Sequence, residues 1–170
     1  MYKETFDKLQ ELSAAGKWVE IVAMMTENIC CAKDEADEFG LRLWRTNGLR
    51  HMGDEAGATE DVDWLLAHLD SASSALHNYG KEDDIHLRQD LYRCKGRILY
   101  QKGKNEEAIS YFNKVLELDK HFAIAYRERG CCYYAMGDVV HAQEDLMSYF
   151  RENPEEAAKV TGSFNAKGTE

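Results

Sequence analysis

Gln89 to Pro154 reads QDLYRCKGRILYQKGKNEEAISYFNKVLELDKHFAIAYRERGCCYYAMGDVVHAQEDLMSYFRENP, and one pattern is written in it twice. Displaced by 34 residues, Tyr92 falls on Tyr126, Arg93 on Arg127, Gly96 on Gly130, Tyr100 on Tyr134, Gly103 on Gly137 and Ala108 on Ala142. Lys95 with Arg129, Leu99 with Tyr133, Phe112 with Leu146 and Leu116 with Phe150 keep their character instead of their identity. A fixed period of this length is the mark of a stacked helical array.

Within one unit, Tyr92, Gly96 and Leu99 recur at helical spacing and line one face, as do Tyr126, Gly130 and Tyr133 one unit later. A glycine in mid-helix costs about 1 kcal/mol against alanine. Two at the same slot therefore imply that a neighbouring helix comes close there. Gly103 and Gly137 follow their helices in tight turns that call for positive φ. Ala108, Phe112 and Val115, then Ala142, Leu146 and Tyr149, form the apolar stripe of a second helix, with the alanine where the two helices cross. Each unit is an antiparallel helix pair, and a lone pair cannot bury its own apolar face.

At these residues the chain resembles the tetratricopeptide repeat (TPR) family, whose motif sets an aromatic four places before glycine and follows it with tyrosine, alanine, phenylalanine and a closing proline. Tyr126, Gly130, Tyr133, Gly137, Ala142 and Pro154 carry the later copy; Tyr92, Gly96, Leu99, Gly103, Ala108 and Phe112 carry the earlier one, with Lys120 in place of the proline. The resemblance covers 66 of the 170 residues. It implies an all-α, right-handed superhelical solenoid of antiparallel helix pairs, about eight helices in all, and it leaves function open because such repeats serve many partners.

Composition bounds the rest. A chain of 170 residues with one proline, 44% apolar and 31% charged residues suits one mostly helical domain with a real core. No apolar run approaches the length of a membrane span, and Met1 to Gln10 lacks the basic-then-apolar form of a signal peptide, so a cytoplasmic location is expected. The net charge of −10 should repel nucleic acid and anionic membranes. It is unevenly shared: residues 1–80 hold 7 Lys and Arg against 15 Asp and Glu, residues 81–170 hold 14 against 16. Five cysteines, Cys30-Cys31, Cys131-Cys132 and Cys94, lack C-x-x-C spacing and read as reduced packing residues, while the six histidines show no ligand spacing. No metal or cofactor is expected.

The first half repeats the architecture with a worn pattern. Tyr2, Phe6 and Leu9, then Trp18, Ile21, Val22, Met25 and Ile29, give two stripes joined at Ala14-Ala15-Gly16, a degenerate helix pair over 1–32 with Leu9 where glycine is expected. A second, longer pair spans 33–80: a helix from about Asp34 to Met52 with Trp44 four before Gly48, a turn at Gly53–Glu60, and a stripe of Val62, Leu65, Leu66, Leu69, Ser73 and Leu76. Gly48 lies 48 residues before Gly96, so this unit is 14 residues too long. Tyr79 to Asp84 separates it from the clear units at 81–122 and 123–156, with an aspartate, Asp83 or Asp84, as helix cap. The acidic runs Asp34–Glu38 and Glu60–Asp63 sit at helix starts, where negative charge meets the positive dipole end. The whole makes one domain over 1–160, and 161–170 read as a mobile C-terminal tail.

In a solenoid the first helix of each unit lines the inner face. Its exposed stripe is Asp90, Arg93, Arg97, Tyr100 and Gln101, then Ile124, Arg127, Cys131, Tyr134 and Ala135. Guanidinium forks grip carboxylates bidentately and tyrosine adds rigid contact area, which suits an acidic or carboxylate-ending peptide. Arg93 and Arg97 have an alternative, pairing with Asp90 or with acidic groups of the first half. The TPR subclass that captures chaperone tails uses groove asparagines, whereas Cys94, Arg97, Glu128 and Cys131 stand in the comparable places here. The expected activity is a non-enzymatic protein-protein interaction scaffold holding a partner segment in the concave groove at Asp90, Arg93, Arg97, Tyr100, Gln101, Arg127, Cys131 and Tyr134. The alternative is a self-assembling or chaperone-like protein whose exposed aromatics and Cys131 or Cys132 cover another copy or a client. Catalysis is not expected, because no nucleophile, base and oxyanion donor fall at recognisable spacing and no glycine-rich phosphate loop is present.

Overall fold

The computed structural model of the chain describes residues 3–71 and 81–159. Every regular element among them is a helix: α1 (Lys3–Ala14), α2 (Trp18–Ile29), α3 (Glu35–His51), α4 (Thr59–Ala67), α5 (Lys81–Gln101), α6 (Asn105–Leu118), α7 (Ala123–Ala135) and α8 (Val139–Glu152). A further helical stretch covers 154–159. The expected all-α architecture of helix pairs is what forms. The chain divides into two compact units, Met1–Ile98 and Leu99–Glu170, and the division falls inside α5. The readings placed on Tyr2, Ser73, Leu76, His77, Tyr79-Gly80 and the 161–170 tail lie outside the described residues.

In the first unit, Leu9, Ile21, Met25 and Leu41 form a core that joins α1, α2 and α3, with Trp18 and Trp44 packed against it. Leu9 is fully buried, so the residue standing in the glycine slot fills space instead of admitting a helix. Gly48 does admit one: a Cβ there would lie 2.8 Å from Val22 Cγ2. Asp34 caps α3 by accepting from the Asp37 amide at 2.8 Å. The α4 helix ends at Ala67, earlier than the apolar stripe implies, and His68 stacks on Trp64 with ring centroids 3.9 Å apart.

Two features of this unit differ from the sequence reading. Neither Asp83 nor Asp84 is a cap, since α5 already begins at Lys81; the Asp84 carboxylate accepts from Arg88 Nε one turn on, at 3.1 Å. The packing face of α5 also turns. Leu91 joins Phe39, Leu65 and Leu69, while Cys94 and Ile98 join Leu49, Ala58 and Val62. Gly96 and Leu99 are buried as expected, yet Tyr92 is only half-buried. A helix packed on two sides hides more than the single stripe that periodicity marks.

The acidic run Glu60–Asp63 holds more than dipole charge. Asp61 is 1% exposed and receives Arg45 through Nε and Nη2, both at 2.6 Å, and Arg42 through Nη1 at 2.7 Å. Arg42 turns its remaining donors to Glu38 at 2.8 Å. The hydrogen bonds it donates to Asp61 hold the Arg45 guanidinium above its ordinary pKa.

In the second unit, Leu99, Ala108, Phe112 and Cys132 make the core. The predicted stripe Ala108, Phe112 and Val115 of α6 is wholly buried against its neighbours. Gly103 and Gly137 adopt φ of 73° and 82° in the turns that close α5 and α7. At Gly130 a Cβ would meet Asp145 Cβ at 3.2 Å and the Ala142 carbonyl at 3.4 Å, the close helix approach read from the sequence. Asp145 is buried there and accepts both prongs of Arg129 at 2.9 and 2.6 Å, and Arg129 also donates to Asn113 at 2.5 Å.

Candidate functional site

The eight residues singled out by sequence divide between the two units. Asp90, Arg93 and Arg97 belong to the first; Tyr100, Gln101, Arg127, Cys131 and Tyr134 belong to the second.

On the first unit Asp90 is exposed, Arg93 half-buried and Arg97 engaged. The turn between α3 and α4 folds Glu55 inward until it is 4% exposed, and Glu55 Oε1 pairs with the Arg97 guanidinium. Pairing with a carboxylate of the first half was one of the two readings open for Arg97. Glu55 Oε2 is buried without a hydrogen-bond partner. The Cys94 thiol beside them is pushed up chiefly by burial, with Arg50, Arg97 and Arg93 pulling it down and Glu55 pushing it up. Arg50, in the last turn of α3, was not among the predicted residues. Its place beside Arg93 and Arg97 depends on how α3 and α5 pack, and the irregular length of this unit hid that register.

On the second unit the geometry is simpler. Arg127, Cys131 and Tyr134 sit at i, i+4 and i+7 of α7, so they line one strip of that helix, and all three are exposed. Tyr134 is 73% exposed, the most open of the large apolar side chains among the described residues. The Arg127 guanidinium lies over the Tyr149 ring of α8 at 5.5 Å, which holds the charge in place without neutralising it. Arg127 forms no ion pair among the described residues. Tyr100 and Gln101 close α5, both exposed. Tyr149 as a platform was not foreseen; periodicity assigned it only to the packing stripe of α8.

The cysteines are all free, and the Cys131-Cys132 pair splits as helical geometry requires, one outward and one inward. Burial pushes the Cys132 thiol up to about 12. Among the described residues no three His, Cys, Asp or Glu side chains gather as a metal site. No helix among them is long and apolar enough to cross a membrane. A cavity of about 240 Å³ lies at the turn into α6, lined by Gly103, Lys104, Asn105, Glu106, Glu107 and Met136. That is smaller than the roughly 300–1,000 Å³ of ordinary small-molecule sites.

Similar solved structures include a crystal structure of MamA, 14% identical, with a TM-score of 0.45 over 88% of this chain and 96% of that one. Another is MamA MSR-1 C2, 17% identical, with a TM-score of 0.44 over 88% and 95%. The family model described as TPR repeat matches residues 96–137, so the pattern written twice between Gln89 and Pro154 is TPR repeat sequence across that span.

Proposed function

We propose that the protein is a non-enzymatic interaction scaffold that holds an acidic or carboxylate-ending segment of a partner protein on the α7 strip. One observation carries this reading: Arg127 stands exposed and without a carboxylate partner among the described residues, fixed over Tyr149, with Cys131 and Tyr134 open along the same helix face. An incoming carboxylate would take the free edge of that guanidinium bidentately, and Tyr134 would cover the adjoining residues with little entropy loss. Arg97 is occupied by Glu55 and contributes to the first unit's own packing instead. A scaffold role without catalysis fits the thiols as well, since Cys94 and Cys132 are buried and held in the unreactive protonated form.

The test is a peptide array that varies charge and terminus. Acidic peptides with a free C-terminal carboxylate should bind more tightly than their amides, and Arg127→Ala should weaken them by about tenfold, the worth of one charge-assisted pair. Acidic and neutral peptides binding alike, with no effect of Arg127→Ala, would contradict the assignment.

A further inference from the structure

The dipeptide Cys-Cys occurs twice, and the fold treats the two copies differently. Cys131 and Cys132 lie in the middle of α7, where neighbouring side chains point about 100° apart, so one thiol is exposed and the other fully buried. Cys30 and Cys31 lie just beyond the end of α2, and both are exposed. The reason is in the residues on either side. Ile29 and Ala32 both pack against the core of Leu9, Ile21, Met25 and Leu41. A tight turn joins them: the Cys31 amide donates to the Asn28 carbonyl at 2.9 Å, and the Ala32 amide to the Ile29 carbonyl at 3.2 Å. In a turn with i to i+3 bonds the first and fourth side chains fall on one side. With those two anchored inward, the second and third, Cys30 and Cys31, face outward together.

We propose that Cys30 and Cys31 form a dithiol site that takes one soft, thiophilic centre, a trivalent arsenical, through both sulfurs. Soft centres prefer thiolate to imidazole, carboxylate or water. A mono-organic arsenical has two positions to fill and needs no third protein ligand, which fits a site made of two thiols. A direct S–S bond is the competing use of the pair. Adjacent Cα atoms are about 3.8 Å apart, while disulfides usually span roughly 4.4–6.8 Å, so that bond would distort the turn. An atom bridging the two sulfurs lengthens the link and relieves the strain. With phenylarsine oxide as ligand, two S–H bonds break, two As–S bonds form, and the oxide oxygen leaves as one water carrying both protons. Arsenic and sulfur keep their oxidation states. The turn's backbone bonds and the Ile29 and Ala32 anchors stay as they are, so the loaded chain keeps its fold. The site is on the turn between α2 and α3, and it stands or falls independently of peptide binding on α7.

Intact-mass spectrometry of the full chain after incubation with phenylarsine oxide counts the bound arsenic. A small monothiol in the buffer strips arsenic held by one sulfur and leaves the chelate. The expected result is one equivalent on the native chain and two in urea, where unfolding frees Cys132 to join Cys131. Cys30→Ser and Cys31→Ser should each weaken native binding at least about a hundredfold, because the second sulfur must then come from solution. Cys131→Ser should leave it unchanged. Both turn positions are exposed, and unchanged helical circular dichroism verifies that the serine variants fold. A native chain that takes no arsenic would overturn the proposal, as would one equivalent that survives Cys30→Ser or is lost with Cys131→Ser. Two equivalents on the native chain would show Cys132 open and overturn the contrast between the two pairs on which the site rests.

Discussion

The α3–α4 pair of the first unit and the α7–α8 pair of the second use the same lock in different settings. In each, an arginine on the first helix grips a buried aspartate sixteen residues later on the second: Arg45 with Asp61, and Arg129 with Asp145. The second unit keeps the 34-residue spacing and needs one guanidinium, steadied by Asn113. The first has lost the spacing and carries a larger cluster, in which Arg42 and Glu38 join the pair. The 34-residue spacing can therefore be lost while the helix pair keeps its aromatic, its glycine and its register, with a buried charge pair spanning the two helices.

Removing the aspartates gives the largest effects and probes that difference. Asp145→Ala leaves the Arg129 guanidinium without its carboxylate and should cost about 3 kcal/mol, while Asp61→Ala strands Arg45, takes one of the two carboxylates of Arg42 and should cost about 5 kcal/mol. Urea unfolding followed by circular dichroism measures both, and equal losses would break the comparison. The repeat slot comes next. Phe112→Ala empties a packed core position and should cost about 3–4 kcal/mol, whereas Leu146→Ala, at the exposed slot one repeat later, should cost under about 1 kcal/mol. Asp34→Ala removes the α3 cap and should cost about 1 kcal/mol in the same assay.

The smallest effect is one of pH. Burial holds the Cys132 thiol near 12 in the folded chain, while the unfolded chain keeps an ordinary thiol near 8.5. The unfolded state thus loses its proton first, and this contribution to stability is complete below about pH 8.5 and declines as pH rises towards 12. Cys94 shifts in the same direction. At pH 8 a thiol reagent should label Cys30, Cys31 and Cys131 quickly and reach Cys94 and Cys132 only on unfolding. Five fast thiols in the native protein would contradict that burial.

Much of the fold was legible because it is written locally. The tight turns at Gly103 and Gly137, the close approach at Gly130 and the buried Ala108, Phe112 and Val115 all follow from spacing along one helix or between two adjacent ones. Less of the site was legible, because it depends on contacts between helices far apart in sequence. Periodicity exposed Arg97, and only the inward fold of the Glu55 turn shows it engaged. The dipole reading of Glu60–Asp63 missed that Asp61 points inward to Arg42 and Arg45. Tyr149 and Arg50 act through neighbours supplied by packing, on which a single-helix pattern is silent.

The central claim is that α7 presents a partner-binding strip built on Arg127 and Tyr134. It is tested most directly by affinity capture from cell extract, with wild type and the Arg127→Ala/Tyr134→Ala variant run in parallel and the helical content of both verified. The account predicts a partner retained by wild type and depleted at least about tenfold by the variant, in line with the loss of two central contacts. The same partner recovered equally by both proteins would contradict it.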